Sequence, residues 1–226
     1  MPGPKDAILI PRKFTAHYLR RFSFKAETLF DVGVGTGTPE LYRLFQGRKL
    51  VLIDPLADTP ERIRKRWPAL AFDFIAAALG GREGSAFLNI TRTLSKTGLA
   101  ERTALTAEEI VERRRVRLTT LDQILAQSSY PAPFGLKLDA EGFELEILRG
   151  GTKALEQTEF VIAEVSIKKR FVGGYRFSDI VGFLGERGFE LIDILNFGPA
   201  TQRFYDCLFL GRDHPLFAER AGASRG

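Results

Sequence analysis

The sequence predicts an α/β fold: one domain built on a mostly parallel central sheet, with helices on both faces and an antiparallel strand at the C-terminal end. Three observations carry that expectation. Short β-type runs alternate with helical stretches through most of the chain. The first clear run ends in a turn of alternating glycines that opens directly into a helical stretch. The last two runs are joined by a connection carrying Asn196, Gly198 and Pro199, too short for a helical crossover, so they pair antiparallel.

Taken in order, strands are expected at Thr28–Val34, Lys49–Asp54, Phe72–Ala78, Phe134–Asp139, Phe160–Ile167, Phe189–Leu195 and Phe204–Leu210. Helices are expected at Pro39–Phe45, Pro60–Arg66, Leu121–Gln127, Leu145–Gln157 and Ser178–Arg187, the last closed by Gly188 as a C-cap. Two stretches break the alternation. Gly84–Ile90 reads as an extra short strand after the Gly80-Gly81 turn. Thr91–Val116 is polar and rich in Thr and charge, with a helical-looking Ala107–Arg114 stretch, and its length marks residues 91–116 as a lid or binding insertion. The core then spans roughly residues 25–212, and the ends, Met1–Pro11 and Pro215–Gly226, are expected to be mobile.

The 226 residues suit a single domain, and 44% hydrophobic with 27% charged residues is ordinary globular composition. No apolar run approaches the roughly 20 residues that span a bilayer. The opening residues lack the ordered regions of a signal peptide. Cys207 is the sole cysteine, which excludes an intramolecular disulfide and a cysteine-rich metal site, and its apolar surroundings mark it as core. A cytoplasmic protein with no membrane association is the expectation. The net charge of +5 is concentrated in Arg62–Arg66, Arg113–Arg117 and Lys168–Arg170. Nucleic-acid binding requires such clusters to share a face with aromatic platforms between them, so solvated surface charge is the expected role.

The strongest constellation is Asp31-Val32-Gly33-Val34-Gly35-Thr36-Gly37-Thr38. Glycines permit a tight turn and let a ligand approach the main chain, while the turn aims the amides of the next helix above the sheet edge. A dinucleotide-binding turn carries G-x-G-x-x-G/A, and Thr38 departs from it at the third position. The arrangement instead resembles the first motif of class I S-adenosylmethionine methyltransferases. That resemblance implies that Asp31 helps organise the methionine end of the cofactor while the backbone of Gly33, Val34, Gly35 and Gly37 packs against it. About 20 residues on, Asp54 ends the second strand, where an acidic side chain can accept hydrogen bonds from ribose hydroxyls. Leu56 is then placed to contact adenine, and Ala77 offers a small surface on which adenine can lie. A turn aspartate and a ligand-free β–α turn are the bland readings of the same residues.

The second constellation is Lys137-Leu138-Asp139-Ala140-Glu141-Gly142 at another strand end, where ligands bind in open α/β sheets. In extended chain Lys137, Asp139 and Glu141 share a side, and such charge in a core strand is costly unless paired or turned to a ligand. The segment resembles the Lys-Ile-Asp-x-Glu-Gly signature of the FkbM family of methyltransferases. Leu118–Asp122, Ala78–Gly84 and Phe160–Val165 support the match in the family's order. Asp54-Pro55 stands where family members commonly carry Glu-Pro. The resemblance implies a Rossmann-like class I methyltransferase fold, S-adenosylmethionine as cofactor, and transfer of a methyl group to a hydroxyl of a small molecule, sugar or natural product.

An activated sulfonium leaves the protein to align the nucleophile, exclude water and take a proton. Asp139 and Glu141 are the candidates for that base, with Lys137 orienting one of them and Glu164 completing the site. By analogy with catechol O-methyltransferase-like enzymes, Asp139 and Glu164 are oxygen ligands suited to Mg²⁺, but two carboxylates are too few to establish a metal site. An internal Lys137–Glu141 ion pair is the structural alternative. Arg113–Arg117 is a candidate for recognising a carboxylate or phosphate on an anionic acceptor. An RNA-binding or RNA-modifying protein, and a cofactor fold that has lost catalysis, are the competing functions. Nothing in the sequence sets the oligomeric state.

Overall fold

The computed structural model describes residues 13–196 and 203–218. Its helices are α1 (Ala16–Leu19), α2 (Pro39–Leu44), α3 (Thr59–Arg66), α4 (Leu121–Ala126), α5 (Glu144–Arg149), α6 (Thr152–Leu155) and α7 (Phe177–Gly185). Its strands are β1 (Thr28–Val32), β2 (Lys49–Asp54), β3 (Asp73–Ala76), β4 (Ala78–Leu79), β5 (Gly84–Thr91), β6 (Ile110–Thr119), β7 (Phe134–Leu138), β8 (Thr158–Ser166), β9 (Phe189–Ile194) and β10 (Phe204–Gly211).

Seven strands form the main sheet in the order β3-β2-β1-β7-β8-β10-β9. The pairs from β3 through β8 are parallel, and β10 lies antiparallel between β8 and β9. The order reverses between β1 and β7, which makes their C-terminal ends the switch point where ligands bind in such sheets.

Alternation along the strands explains the two-sided cover. Phe30 and Val32 of β1, Leu136 and Leu138 of β7, and Val161 and Ala163 of β8 pack with Leu121, Ile147, Leu155, Ile180 and Leu184 from α4–α7. The opposite positions, Leu29, Leu52, Phe160 and Ile162, pack with Leu19, Leu41, Tyr42 and Ile63 from α1–α3. Cys207 is fully buried in the first of these layers. Close packing also selects small residues: a Cβ on Gly135 would lie 2.3 Å from the ring of Phe160.

The expected strands appear with ends shifted by a residue or two, and the antiparallel pairing of the last two holds. Four expectations need correction. Phe72–Ala78 is not one strand: β3 belongs to the main sheet, and after Ala77 the chain enters β4 of a second sheet ordered β4-β6-β5. Ala107–Arg114 is not helical, because Ile110–Arg114 opens the ten-residue strand β6. Its Glu and Arg residues have good helix propensity, but pairing with β5 through seven successive positions from Gly84↔Leu118 to Ile90↔Glu112 overrides it. Leu145–Gln157 breaks at Gly150-Gly151, where a Cβ on Gly150 would stand 2.1 Å from the Gly80 carbonyl oxygen. The Asp122 carboxylate then receives the amides of Lys153 and Ala154 and starts α6. Finally, Pro215–Phe217 is a 3₁₀ turn whose Leu216 amide donates to the His214 ring. The expected mobility of residues 1–11 and 219–226 lies outside the described residues, as do Gly198 and Pro199.

Candidate functional site

The turn after β1 is built around a close approach. Gly33 has φ +76°, and a Cβ there would fall 1.9 Å from the Asp139 carbonyl oxygen, so only glycine lets the β1 and β7 ends converge. Gly35, also at positive φ (+52°), has nothing within 4 Å of its absent Cβ and faces open space. A cavity lies above this turn. Gly33, Val34, Gly35 and Gly37 line one side, Asp54 and Leu56 a second, Ala77 and Leu79 a third, and Asp139–Glu141 a fourth. Leu94–Ser95 and Thr97–Leu99, from the connection between β5 and β6, also line it.

Seven of the eight residues expected to touch the cofactor therefore meet around one cavity. Asp31 is the exception. It lies beneath the turn, 1% exposed, and its Oδ2 accepts a 2.6 Å hydrogen bond from the Tyr42 hydroxyl while Oδ1 has no partner. Burial pushes its carboxyl up to about 6. Asp54 holds the turns themselves: Oδ1 accepts from the Leu56 amide at 2.8 Å and Oδ2 from the Gly35 amide at 3.4 Å. Burial raises its pKa above the ordinary carboxylate value. The cavity suits S-adenosylmethionine by its own chemistry, since Gly35 leaves room for a ligand against the backbone and Asp54 stands at the strand end beside adenine-sized apolar surfaces.

The four candidate catalytic residues also converge. Lys137 is 3% exposed, with its Nζ 3.6 Å from Asp139 Oδ2 and 3.8 Å from Asp206 Oδ1. Burial opposes its charge, but Asp139, Asp206, Glu164 and Asp31 outweigh burial and hold the ammonium above its ordinary pKa. The expected alternative, a Lys137–Glu141 pair, is not what forms. Glu141, at φ +50°, instead accepts from Arg102 at 2.8 Å and from Arg170 at 2.6 Å. Arg170 also donates to Glu164 at 2.5 Å. Burial pushes Glu141 up to about 7 against the pull of Arg170. Burial, with Asp139 nearby, likewise raises Glu164, again opposed by Arg170.

Asp139 differs from its neighbours. Its side chain is 38% exposed, and with Ser95 and Glu141 it lines both the first cavity and a second cavity beside it. Lys96, Arg102, Leu105, Glu164, Arg170 and Arg203 contribute to that second cavity. The backbone carrying Asp139 is fixed by Glu144, whose carboxylate accepts from the amides of Ala140 and Gly142 and from the Tyr175 hydroxyl.

Oxygen atoms of Asp139, Glu141 and Glu164 lie within 4.8 Å of one another, a spacing that a hard dication could bridge. The donor set argues otherwise. Arg102, Arg170 and Lys137 already balance the three carboxylates, and Glu141 Oε2 and Glu164 Oε1 are committed to guanidinium hydrogen bonds. A dication there would face those cations, so no step is routed through a metal.

Reading the sequence missed Arg102, Arg170, Glu144 and the Leu94–Leu99 wall. Arg170 was counted among solvated surface charge, yet it is 6% exposed and packs over the rings of Phe171 and Phe204. No local pattern announces a partner 29 residues away. Conversely, none of Arg113–Arg117 lines either cavity.

The family described as "Methyltransferase FkbM domain" matches residues 31–191. The hexuronic acid methyltransferase AglP of Haloferax volcanii is 43% identical over 44 residues, which is 20% of this chain and 18% of that protein's length. The O-methyltransferase TomG of Streptomyces achromogenes, involved in tomaymycin synthesis, has a similar structure with a TM-score of 0.51 and 17% identity. That likeness covers 92% of this chain and 82% of TomG and establishes the fold. The magnesium protoporphyrin IX methyltransferase of Synechocystis PCC 6803 overlaps 87% of this chain and 76% of its own, with a TM-score of 0.49 and 12% identity.

Proposed function

The chain belongs to the FkbM-domain methyltransferases, enzymes that take S-adenosylmethionine as methyl donor, and from that premise we propose that it methylates a hydroxyl of a small, sugar-like acceptor bearing an acidic group. The observation that carries this reading is the position of Asp139 between two adjoining cavities. One cavity is built on the glycine turn. The other is lined by Lys96, Arg102, Arg170 and Arg203 together with Asp139, Glu141 and Glu164; of its cations Arg203 is exposed and has no carboxylate partner among the described residues. AglP acts on a hexuronic acid, and a carboxylated sugar could meet Arg203 in the second cavity. The anion-recognising role expected of Arg113–Arg117 passes in this reading to Arg203, since Lys96 is already paired with Glu108.

Bound S-adenosylmethionine supplies a methyl group already activated as a sulfonium. The glycine turn and Asp54 hold the adenosine, with Leu56 and Ala77 against adenine. Asp139 would accept a hydrogen bond from the acceptor hydroxyl and take its proton as the methyl group is transferred to that oxygen, leaving S-adenosylhomocysteine. Lys137 orients that carboxylate. Glu141 and Glu164 do not serve as the base, because both are held by Arg170; they shape the wall facing the acceptor instead. The connection carrying Leu94–Leu99 covers the reacting atoms and excludes water, which is the lid role proposed for residues 91–116.

The test is methyl transfer from isotopically labelled S-adenosylmethionine to a panel of neutral glycosides and uronic acid glycosides. Transfer to the uronides is expected, with Asp139→Asn lowering turnover about a hundredfold or more while S-adenosylhomocysteine still binds. Turnover of neutral glycosides alone, or an Asp139→Asn variant with full activity, would overturn the proposal.

A further inference from the structure

The hairpin of β5 and β6 has one face packed inward around Leu88 and Val116 and one face outside, while toward Glu112 and Arg114 both faces are exposed. Across it Ala86 pairs with Val116, Leu88 with Arg114 and Ile90 with Glu112. On that inner side Leu88 and Val116 are buried with Leu56, Ala78 and Leu118. The alternate pairs are Ser85 with Arg117, Phe87 with Arg115 and Asn89 with Arg113. Those six residues form the outer face, where Phe87 is 65% exposed and all three arginines are exposed.

The arginines repeat every second residue, so they stand roughly 7 Å apart along the strand. Arg113 and Arg117 have no carboxylate partner among the described residues, while Arg114, on the other face, is paired with Glu112. Val111 sits at the register shift between the Ile90↔Glu112 and Thr91↔Ile110 pairs and is 54% exposed. Of the seven exposed large apolar residues among those described, four, Phe87, Leu105, Ile110 and Val111, belong to this hairpin or the connection leading into β6.

We propose that this outer face docks on an anionic lipid bilayer, with Phe87 and Val111 entering the headgroup boundary and Arg113, Arg115 and Arg117 meeting lipid phosphates and carboxylates. Charge complementarity selects the occupant. A second copy of the chain would set guanidinium rows against each other. A single nucleic-acid strand wants successive aromatic platforms, and here one aromatic stands among aliphatic residues that cannot stack on bases. Exposed apolar tips flanked by arginines match an interface that is apolar below and anionic at its surface. Such docking departs from the sequence expectation of no membrane association; no described helix is long and apolar enough to cross a bilayer, but lying on one needs no such helix.

Cosedimentation of the whole protein with vesicles tests this, comparing phosphatidylcholine alone with phosphatidylcholine containing about 30% phosphatidylserine at about 0.1 M salt. Binding is expected only to the anionic vesicles, reversed by high salt. The triple variant Arg113→Gln/Arg115→Gln/Arg117→Gln should weaken it by roughly fivefold per arginine. Phe87→Ser/Val111→Ser should weaken it while leaving the salt dependence in place. Both variants should keep the thermal shift given by S-adenosylhomocysteine, since none of these residues lines the cofactor cavity. Absence of binding to anionic vesicles overturns the proposal, as does binding that neither variant reduces. Arginine-dependent binding to a single-stranded RNA oligonucleotide without vesicle binding overturns it in favour of a nucleic-acid surface.

Discussion

Asp31 spends stability to sit where it does. It is buried, one oxygen bonds Tyr42, and the other has no partner. Its folded-state pKa of about 6 stands above the ordinary 3.8, so between those values the folded chain holds a proton that the unfolded chain releases. Stability from this residue is therefore complete below about 3.8 and falls as the pH rises through about 6, by about 3 kcal/mol in all. Asp31→Asn keeps an acceptor for Tyr42 and removes the titration. Urea unfolding between pH 4 and pH 7 should show the variant gaining on the parent by about that amount. A constant difference across the range would mean that Asp31 titrates normally. At this scale the glycine turn, Asp54 and Lys137–Glu141 were legible in the sequence because each is a contiguous run with a chemical reason for its residue types. Arg170 was not, because an arginine in a basic cluster looks the same whether it faces water or a buried glutamate, and neither was Arg102, a lone arginine in a polar connection.

The turn between β1 and α2 separates two duties that the spacing of its glycines leaves merged. Gly33 serves packing, since its missing Cβ makes room for the Asp139 carbonyl, whereas Gly35 opens on the cavity. Gly33→Ala should destabilise the fold by more than the roughly 1–2 kcal/mol of a left-handed backbone alone, because a backbone atom stands in the way. Gly35→Ala should lose about that backbone cost in stability and weaken S-adenosylhomocysteine binding much further than that loss explains. Unfolding curves and calorimetric titration of the two variants check this, and equal effects on both readouts would dissolve the distinction. Strands and helices of the main sheet were readable from their alternation and punctuation. The second sheet was not. β6 is rich in helix-forming Glu and Arg, and only its pairing with β5, far from any local signal, makes it a strand. The Gly150-Gly151 break was hidden similarly, since it answers to the carbonyl of Gly80 across the fold.

At the scale of the whole molecule, three convergences make the site. The β1 turn supplies open backbone, the β7 end supplies Asp139, and the connection into β6 closes over both. The second cavity adjoins this assembly through Asp139 and Glu141, on a loop held by Glu144, and under the proposed function donor and acceptor would meet there. Every functional statement depends on the first cavity holding S-adenosylmethionine. A ligand at a hundred times its dissociation constant adds about 2.7 kcal/mol of stability. For a domain of this size the melting temperature then rises by roughly 5–11 °C. The measurement is thermal unfolding with S-adenosylmethionine, S-adenosylhomocysteine and NAD in turn. A rise of that order is expected with both adenosyl ligands and none with NAD; no rise with either adenosyl ligand would mean that the cavity does not hold S-adenosylmethionine.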